Sequence, residues 1–380
     1  MRVLFFINEK GQPGGHMFSL ENTVSALSKS IETGVYVLGS PFVGTSELKC
    51  YLGSAPLSSD SYKTVKEVIK RFSPDVIHCF DITSYVFVSL FFSKNYRILL
   101  TKCGGPNPRT GRFIPCSPYM VLYSRENLKY FTRKKKYSRT KFSFLPNRVC
   151  IEALKSDSPY IYNDKCFNIC QIIRIDPTKE KNIHSSLNLI GHLNSQVQNV
   201  HFTLVGTVNS QESYNRICDY INNNSLSEVV TLITDGRTAR GSSFLPGADC
   251  VIATGRSLME ACSLGKLVLC PVADLDIPVL LRSDNFQLLF DTNFSGRANS
   301  SAVCDKELEI IVRTLNDTKF RESISEYTKE QADKYFIITD SIVGKYKEIY
   351  GSMKLVNYFY MLVKNLHIYL YYIWLWTGRK

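Results

Sequence analysis

Residues 166–183 read CFNICQIIRIDPTKEKNI. The first eight form an apolar run with the length of a buried strand, and isoleucines and leucines recur at helical spacing beyond position 182. Arg174 follows the apolar run directly, and Lys179 and Lys181 come at the start of the predicted helix. A strand, a short loop and a helix form the repeating unit of parallel α/β sheets, which bind ligands at the carboxyl ends of their strands. The stretch therefore predicts an α/β fold with basic side chains at a ligand-binding edge; the alternative is an ordinary surface turn.

Strand-like and helix-like segments alternate outward from this stretch in both directions. The predicted strands are 2–7, 76–80, 98–100, 120–122, 201–205, 229–233, 249–253 and 267–270. The predicted helices are 17–27, 65–72, 183–193, 305–316 and 319–333. The stretch 150–165 lacks periodicity, so we expect it to link two separate sheets of the nucleotide-binding type, 1–155 and 165–330, with the boundary near 155–165.

Composition narrows the class of protein. The chain has 380 residues, of which 44% are hydrophobic and 21% charged, and this balance excludes disordered, collagenous and low-complexity chains. The first 350 residues hold no apolar run near 20 residues, which argues against a polytopic membrane protein. The apolar run 3–7 is too short for a signal peptide, so we expect a cytoplasmic protein.

Cysteine and histidine patterns indicate no metal site or disulfide framework. The 12 cysteines are widely spaced without a CxxC pair, and the six histidines form no HExxH motif. Asp274 and Asp276 form an Asp-x-Asp sequence that we interpret as a plain loop. We therefore expect neither a metal nor another cofactor.

Positive charge is concentrated in one segment. The net charge is +12, and residues 125–141 carry eight basic side chains and one acid, Glu126. The segment is either a solvated helix end or a surface that attracts anionic phosphate, such as lipid headgroups or a charged substrate. No zinc-finger or helix-turn-helix signature accompanies it, so no nucleic-acid partner is expected.

The C-terminal segment 353–380 is unusually aromatic. Residues 355–376 read LVNYFYMLVKNLHIYLYYIWLW and include both tryptophans. Three interpretations are open: a helix in the membrane interface, a spanning helix, or a helix packed on protein. We favour the interface and an anionic membrane surface as partner, and we expect the segment to lie beyond what the fold needs.

Two further glycine-containing turns indicate phosphate or sugar contacts. Gly14 and Gly15 lie between the first strand and a helix, where the backbone can approach a ligand closely, or form a simple tight turn. Gly255 follows the strand 249–253, and Glu260 lies in the next helix. A carboxylate there can accept hydrogen bonds from a ribose diol, or it can cap the helix.

In this order the motifs resemble the retaining GT-B glycosyltransferases of family 4. The matching segments are Pro13–His16, Leu145–Val149, Arg174–Asn182, Leu204–Gly206 and Gly255–Gly265. The resemblance implies two Rossmann-like domains facing across a cleft, with helix 335–352 returning to the first domain. It also implies sugar transfer from a nucleotide-sugar to a lipid-linked or growing glycan acceptor, as in lipopolysaccharide or capsule synthesis. We expect the basic segment 125–141 and the aromatic segment 355–376 to hold the protein peripherally on the inner face of the cell membrane.

The resemblance carries roles over to individual residues. It implies catalytic roles for Arg174, Lys181 and Glu260. The donor-binding residues that it implies are Gly14, Gly15, Lys179, Gly206, Gly255, Arg256, Ser257 and Leu258. The residues expected on the acceptor side are His16, Lys102 and Asn107.

The sequence also departs from the pattern of this family. Ile252 stands where a first glutamate is common, and residues 102–107 contain no histidine where many relatives have one. Two other classes therefore remain open: a sugar-nucleotide 2-epimerase and a non-catalytic GT-B subunit.

Overall fold

A computed structural model describes residues 1–9, 15–39, 50–53, 59–108, 113–151, 154, 160, 162–196, 199–299 and 306–377. The chain divides into two compact units: unit 1 comprises 1–148 and 338–380, and unit 2 comprises 149–337. The boundary thus lies earlier than the predicted 155–165, because Val149 forms a β-bridge with Ile337 of unit 2. Residues 338–352 belong to unit 1, and the helix there begins at Asp340, because Tyr335, where the predicted return helix starts, ends the preceding helix.

Unit 1 contains a parallel seven-stranded sheet. Its strands are β1 (Arg2–Glu9), β2 (Glu32–Gly39), β3 (Cys50–Gly53), β4 (Val76–Cys79), β5 (Arg97–Lys102), β6 (Tyr119–Leu122) and β7 (Lys141–Phe144). They are arranged in the order β3-β2-β1-β4-β5-β6-β7. The order reverses between β1 and β4, and such a switch point is where open α/β sheets bind ligands.

Helices cover both faces of this sheet. They are α1 (Gly15–Ser28), α2 (Ser59–Phe72), α3 (Ile82–Phe92), α4 (Arg125–Thr132), α11 (Asp340–Ser352) and α12 (Tyr358–Thr377). One apolar cluster joins α1 and α11 to the sheet, and another joins α2, α3 and α12 to it. The predicted periodic positions Met17, Leu20, Val24 and Leu27 are all buried in the first cluster.

Unit 2 repeats the arrangement with six strands. They are β8 (Phe167–Ile172), β9 (Val200–Val205), β10 (Val230–Ile233), β11 (Cys250–Ile252), β12 (Leu267–Cys270) and β13 (Val279–Leu280), in the order β10-β9-β8-β11-β12-β13. Its helices are α5 (Glu180–Gln196), α6 (Gln211–Asn223), α7 (Arg256–Ser263), α8 (Phe286–Asp291), α9 (Glu307–Asn316) and α10 (Thr318–Tyr335). Among the described strands, only the last pairing, β12 with β13, is antiparallel. The switch point lies between β8 and β11, the two strands that precede Arg174 and Gly255.

Helix α12 corrects one expectation. Residues 358–377 do not lie beyond what the fold needs, because α12 packs on α3 through buried Ile368 and Tyr369. In the described part of the chain, no helix is both long and apolar enough to cross a membrane.

Candidate functional site

Arg174 and Lys179 lie at the switch point of unit 2. Asp176 accepts hydrogen bonds from the backbone amide and hydroxyl of Thr178, and this turn leads the chain from β8 into α5. Arg174 is well exposed, with its Nε atom 3.9 Å from Asp176 Oδ2. The turn therefore presents the guanidinium to solvent at the carboxyl end of β8.

Lys179 lies among other cations. Burial lowers its pKa, the positive charges of Arg174 and Arg297 lower it further, and Asp176 acts in the opposite direction. Three basic side chains are thus gathered with one nearby carboxylate, and we call Arg174, Lys179 and Arg297 the cation cluster. Such an excess of positive charge favours a polyanionic ligand.

Lys181, predicted as catalytic, takes a different position. Its Nζ atom donates to the carbonyl of Ala273, just beyond β12, at 2.6 Å. Lys181 thereby fixes the start of α5 to the end of β12, whereas Lys179 lies close to Arg174.

Two glycines shape the same edge of the sheet for steric reasons. A Cβ atom on Gly206 would lie 1.8 Å from the carbonyl oxygen of Ile173, so β9 can follow β8 this closely only with glycine there. Gly255 has φ +60° and precedes α7, and no side chain caps that helix. The amides of Ser257 and Leu258 therefore begin α7 without an acceptor from its N-cap residue, and helix-start amides favour anions.

Glu260 pairs with Arg256 on the same helix. Arg256 Nη2 lies 2.7 Å from Glu260 Oε1, and the carboxylate is almost fully buried. Burial raises the pKa of Glu260, and Arg256 opposes that shift. The structure thus joins two residues that were predicted to contact the donor separately, and the carboxylate does not cap α7.

The loop 293–297 is the part of the site that the sequence did not reveal. Asn293 and Phe294 have left-handed φ values of 58° and 50° and turn the chain back, so that the carbonyl of Phe294 accepts from the Gly255 amide at 2.7 Å. Within the described residues, the buried Asn293 Oδ1 and Ser295 Oγ atoms have no hydrogen-bond partner. Buried polar atoms without partners are costly, so both can bind a polar ligand.

In unit 1, His16 lies at the start of α1, with Nε2 3.5 Å from Oε2 of the buried Glu9 at the end of β1. Asp81 follows β4 and accepts from the amides of Ser84 and Asn8 at 2.7 and 2.6 Å. Burial raises the pKa of Asp81, and these amides and His16 lower it. His16 is therefore at the switch point of unit 1 beside two carboxyl groups that the sequence did not single out.

The remaining predicted residues of unit 1 are less suited to ligand binding. Lys102 is buried, and its Nζ atom donates to the carbonyls of Gly104 and Gly105 and to Asn127 Oδ1. The Asn127 amide donates in turn to Asn107 Oδ1 at 2.8 Å. These bonds fix the loop after β5, which is a positioning role. Gly14 lies outside the described residues, and a Cβ atom on Gly15 would meet no atom within 4 Å.

Comparison with known proteins gives matches to structures alone. No protein-family model matches the chain, and no curated protein sequence does. Among solved structures, Anabaena Alr3699/HepE in complex with UDP matches 93% of this chain and 100% of its own, at 15% identity and TM-score 0.66. A mutant of S. aureus TarM in complex with Fondaparinux, alpha-GlcNAc-glycerol and UDP matches 92% and 100%, at 11% identity and TM-score 0.66.

This chain has the GT-B fold. A third match is WaaG, a glycosyltransferase involved in lipopolysaccharide biosynthesis, which covers 87% of this chain and 95% of its own at 13% identity and TM-score 0.57. Unit 2 is the second Rossmann-like domain of this fold, and the cation cluster and the start of α7 lie at its switch point. No group of His, Cys, Asp and Glu side chains in the described ranges could hold a metal ion.

Proposed function

We propose that this protein is a glycosyltransferase that moves a sugar from a nucleotide diphosphate donor to a lipid-linked or growing glycan acceptor, with retention of anomeric configuration. The observation that carries the proposal is the cation cluster at the β8/β11 switch point, beside the uncapped start of α7. The diphosphate is the part of such a donor that needs this much positive charge.

The matching structures support the choice of donor. The Anabaena protein has been crystallised with UDP-glucose, and WaaG belongs to lipopolysaccharide biosynthesis. We extend these properties to the present chain and propose that it works on surface polysaccharide at the inner face of the cell membrane, peripherally and without a metal.

In the proposed reaction, Arg174, Lys179 and Arg297 stabilise the negative charge that develops on the diphosphate as its bond to the sugar breaks. The acceptor hydroxyl forms the new bond on the same face of the sugar, and its proton passes to the departing phosphate oxygen. The chemistry therefore needs no strong protein base. Asn293 and Ser295 bind polar groups of the donor, and His16 serves the acceptor.

The test is turnover with a panel of nucleotide-sugars, in which release of nucleoside diphosphate and the anomeric form of the product are measured. We expect Arg174→Ala and Lys179→Ala each to slow turnover by roughly 10²–10³-fold, as loss of one transition-state donor does. The matched control is Arg313→Ala on α9, where the guanidinium lies over the ring of Phe320 on α10.

Three outcomes would contradict the proposal. Unchanged rates in both variants would remove Arg174 and Lys179 from the mechanism. Conversion of the free nucleotide-sugar into its epimer would indicate an epimerase, and tight donor binding without turnover on any acceptor would indicate a non-catalytic subunit.

A further inference from the structure

Helix α12 is apolar on two opposite faces. Its inner face is buried and holds Met361, Asn365, Ile368 and Tyr369. This face meets α3, where the Tyr369 hydroxyl lies 3.1 Å from Ser89 Oγ and the Trp376 ring packs edge-on to Phe87. The packing accounts for the inner face and leaves the outer one in solvent.

The outer face is a continuous apolar ridge. Its members are between 49% and 71% exposed, and they are Phe359, Val363, Leu366, Leu370 and Trp374. At about 100° per residue, these positions fall within an arc of about 80°, and the ridge is roughly 22 Å long. The exposed Phe113 widens it, because its ring centroid lies 4.5 Å from that of Tyr371. We call these six residues the α12 ridge.

Cations border the ridge. The Arg139 guanidinium lies 4.9 Å from the centroid of the Tyr360 ring, and Lys364 Nζ lies 5.8 Å from the same centroid. The neighbouring segment 133–141 adds the exposed side chains of Arg133, Lys134, Lys135 and Lys141. Neither the segment 127–141 nor the segment 353–380 contains an acidic residue. An apolar ridge with a cationic border thus occupies one surface of unit 1.

We propose that the α12 ridge and its basic border dock unit 1 on an anionic lipid surface. The apolar side chains enter the interface between headgroups, with α12 parallel to the membrane, while the basic side chains bind lipid phosphates. A second copy of the chain is a poor occupant, because its own basic border would meet this one. The inference extends the proposed peripheral location but does not depend on sugar transfer, since donor binding can be measured without lipid.

The two tryptophans allow a direct test. Both lie in α12, and Trp376 faces α3 while Trp374 belongs to the ridge. In full-length Trp376→Phe protein, Trp374 is the sole tryptophan. We expect its emission to shift to shorter wavelength on vesicles of phosphatidylcholine with about 30% phosphatidylglycerol, and vesicle co-sedimentation to rise at least about 10-fold over pure phosphatidylcholine and to weaken in high salt. Inorganic phosphate should cause no shift.

Paired variants separate the two components of the surface. Leu370→Asn with Trp374→Asn should reduce sedimentation at least about 10-fold, whereas the exposed His367→Asn on the same helix should leave it unchanged. Lys135→Glu with Arg139→Glu should abolish the preference for anionic vesicles. The matched control is Lys345→Glu with Lys347→Glu, which makes the same charge change on exposed positions of α11.

Two results would overturn the proposal. One is no vesicle binding by wild type while nucleotide binding in solution is intact, which would leave the glycosyltransferase proposal standing. The other is a concentration-dependent dimer, seen by light scattering without lipid, that Leu370→Asn with Trp374→Asn dissolves. That result would assign the ridge to a second copy.

Discussion

Arg297 is the residue whose role depends most on tertiary structure. It lies far along the chain from Arg174, yet its charge acts on Lys179. We predict that Arg297→Ala weakens binding of a nucleoside diphosphate by about 10–100-fold, since a hydrogen bond to a charged group is worth about 1.5–3 kcal/mol. Binding of the corresponding nucleoside should change little. Calorimetric titration checks this, and equal losses for nucleoside and diphosphate would remove Arg297 from the phosphate site.

The Arg256–Glu260 pair gives a second prediction at this scale. Because the carboxylate is buried against Arg256, Glu260→Gln removes the counter-charge of a largely buried guanidinium. We expect Glu260→Gln to lower the free energy of unfolding by roughly 1–3 kcal/mol. The double variant Arg256→Gln with Glu260→Gln should regain part of this loss. Urea unfolding of the two single variants and the double variant measures this. If Glu260→Gln keeps full stability and loses only nucleotide affinity, the carboxylate is a ribose ligand and its pairing with Arg256 is incidental.

Some of these residues could be predicted from the sequence and others could not. Arg174 and Gly255 come directly after buried strands, so the sheet itself determines their edge. Arg297 and Ser295 follow a loop whose direction is set by two left-handed residues, and no hydrophobic period reports that turn. Asp81 lies at a strand end without a glycine motif to mark it, and Glu9 lies beyond residues 2–7, the range predicted for the first strand.

At the scale of elements, α11 is fixed to the sheet through His78 on β4. The imidazole is fully buried between Tyr350 Oη at 2.9 Å and Thr101 Oγ1 at 2.6 Å. Burial lowers the pKa of His78 from 6.5 to about 3, so the folded state holds it neutral. The unfolded chain binds a proton on His78 below pH 6.5, whereas the folded state does not until about pH 3. The stability contributed by the neutral imidazole is therefore complete above pH 6.5 and is lost as the pH falls towards 3.

This mechanism predicts a pH dependence. By pH 5, protonation of His78 in the unfolded chain should remove about 2 kcal/mol of stability, and His78→Gln should lack this component. Urea unfolding of both proteins at pH 7 and pH 5 measures it, with the exposed His192→Gln on α5 as the control in unit 2. Identical pH dependence in wild type and His78→Gln would mean that the imidazole is not held neutral.

Helix α12 is fixed to unit 1 by Asn365. Its side chain accepts from the backbone amide of Cys116 at 2.7 Å and donates to the carbonyl of Cys116 at 2.9 Å. We predict that Asn365→Ala lowers the unfolding free energy of unit 1 by about 2–4 kcal/mol, because two buried backbone groups lose their partners. His367→Ala, on the exposed side, should stay within about 0.5 kcal/mol of wild type. Equal stability of the two variants would show that α12 is not docked.

The same packing explains why the sequence was misleading here. Segment 82–92 is apolar on all sides because α3 is covered by the sheet on one face and by α12 on the other, so it has no amphipathic period. The sequence of α3 thus gave no sign that another helix covers it. The aromatic content of 355–376 therefore favoured a lipid contact, although one face of α12 belongs to the core. Deletion of 353–380 should accordingly expose α3 and destabilise unit 1.

At the scale of the whole molecule, the two units repeat one plan. Each sheet reverses its strand order beside its first strand, and each reversal carries the polar side chains described above. Unit 2 is the proposed diphosphate-binding unit, because it holds Arg174, Lys179 and Arg297. Unit 1 carries the α12 ridge.

The most direct measurement is a thermal-stability titration of the full-length chain with UDP, GDP and ADP, each beside its monophosphate. At about 100 times its dissociation constant, the correct diphosphate should add about 2.7 kcal/mol of stability. Its monophosphate should bind at least about 10-fold more weakly, and the Arg174→Ala, Lys179→Ala double variant should lose the difference. Stabilisation by no diphosphate, or equal stabilisation of wild type and the double variant, would contradict the account.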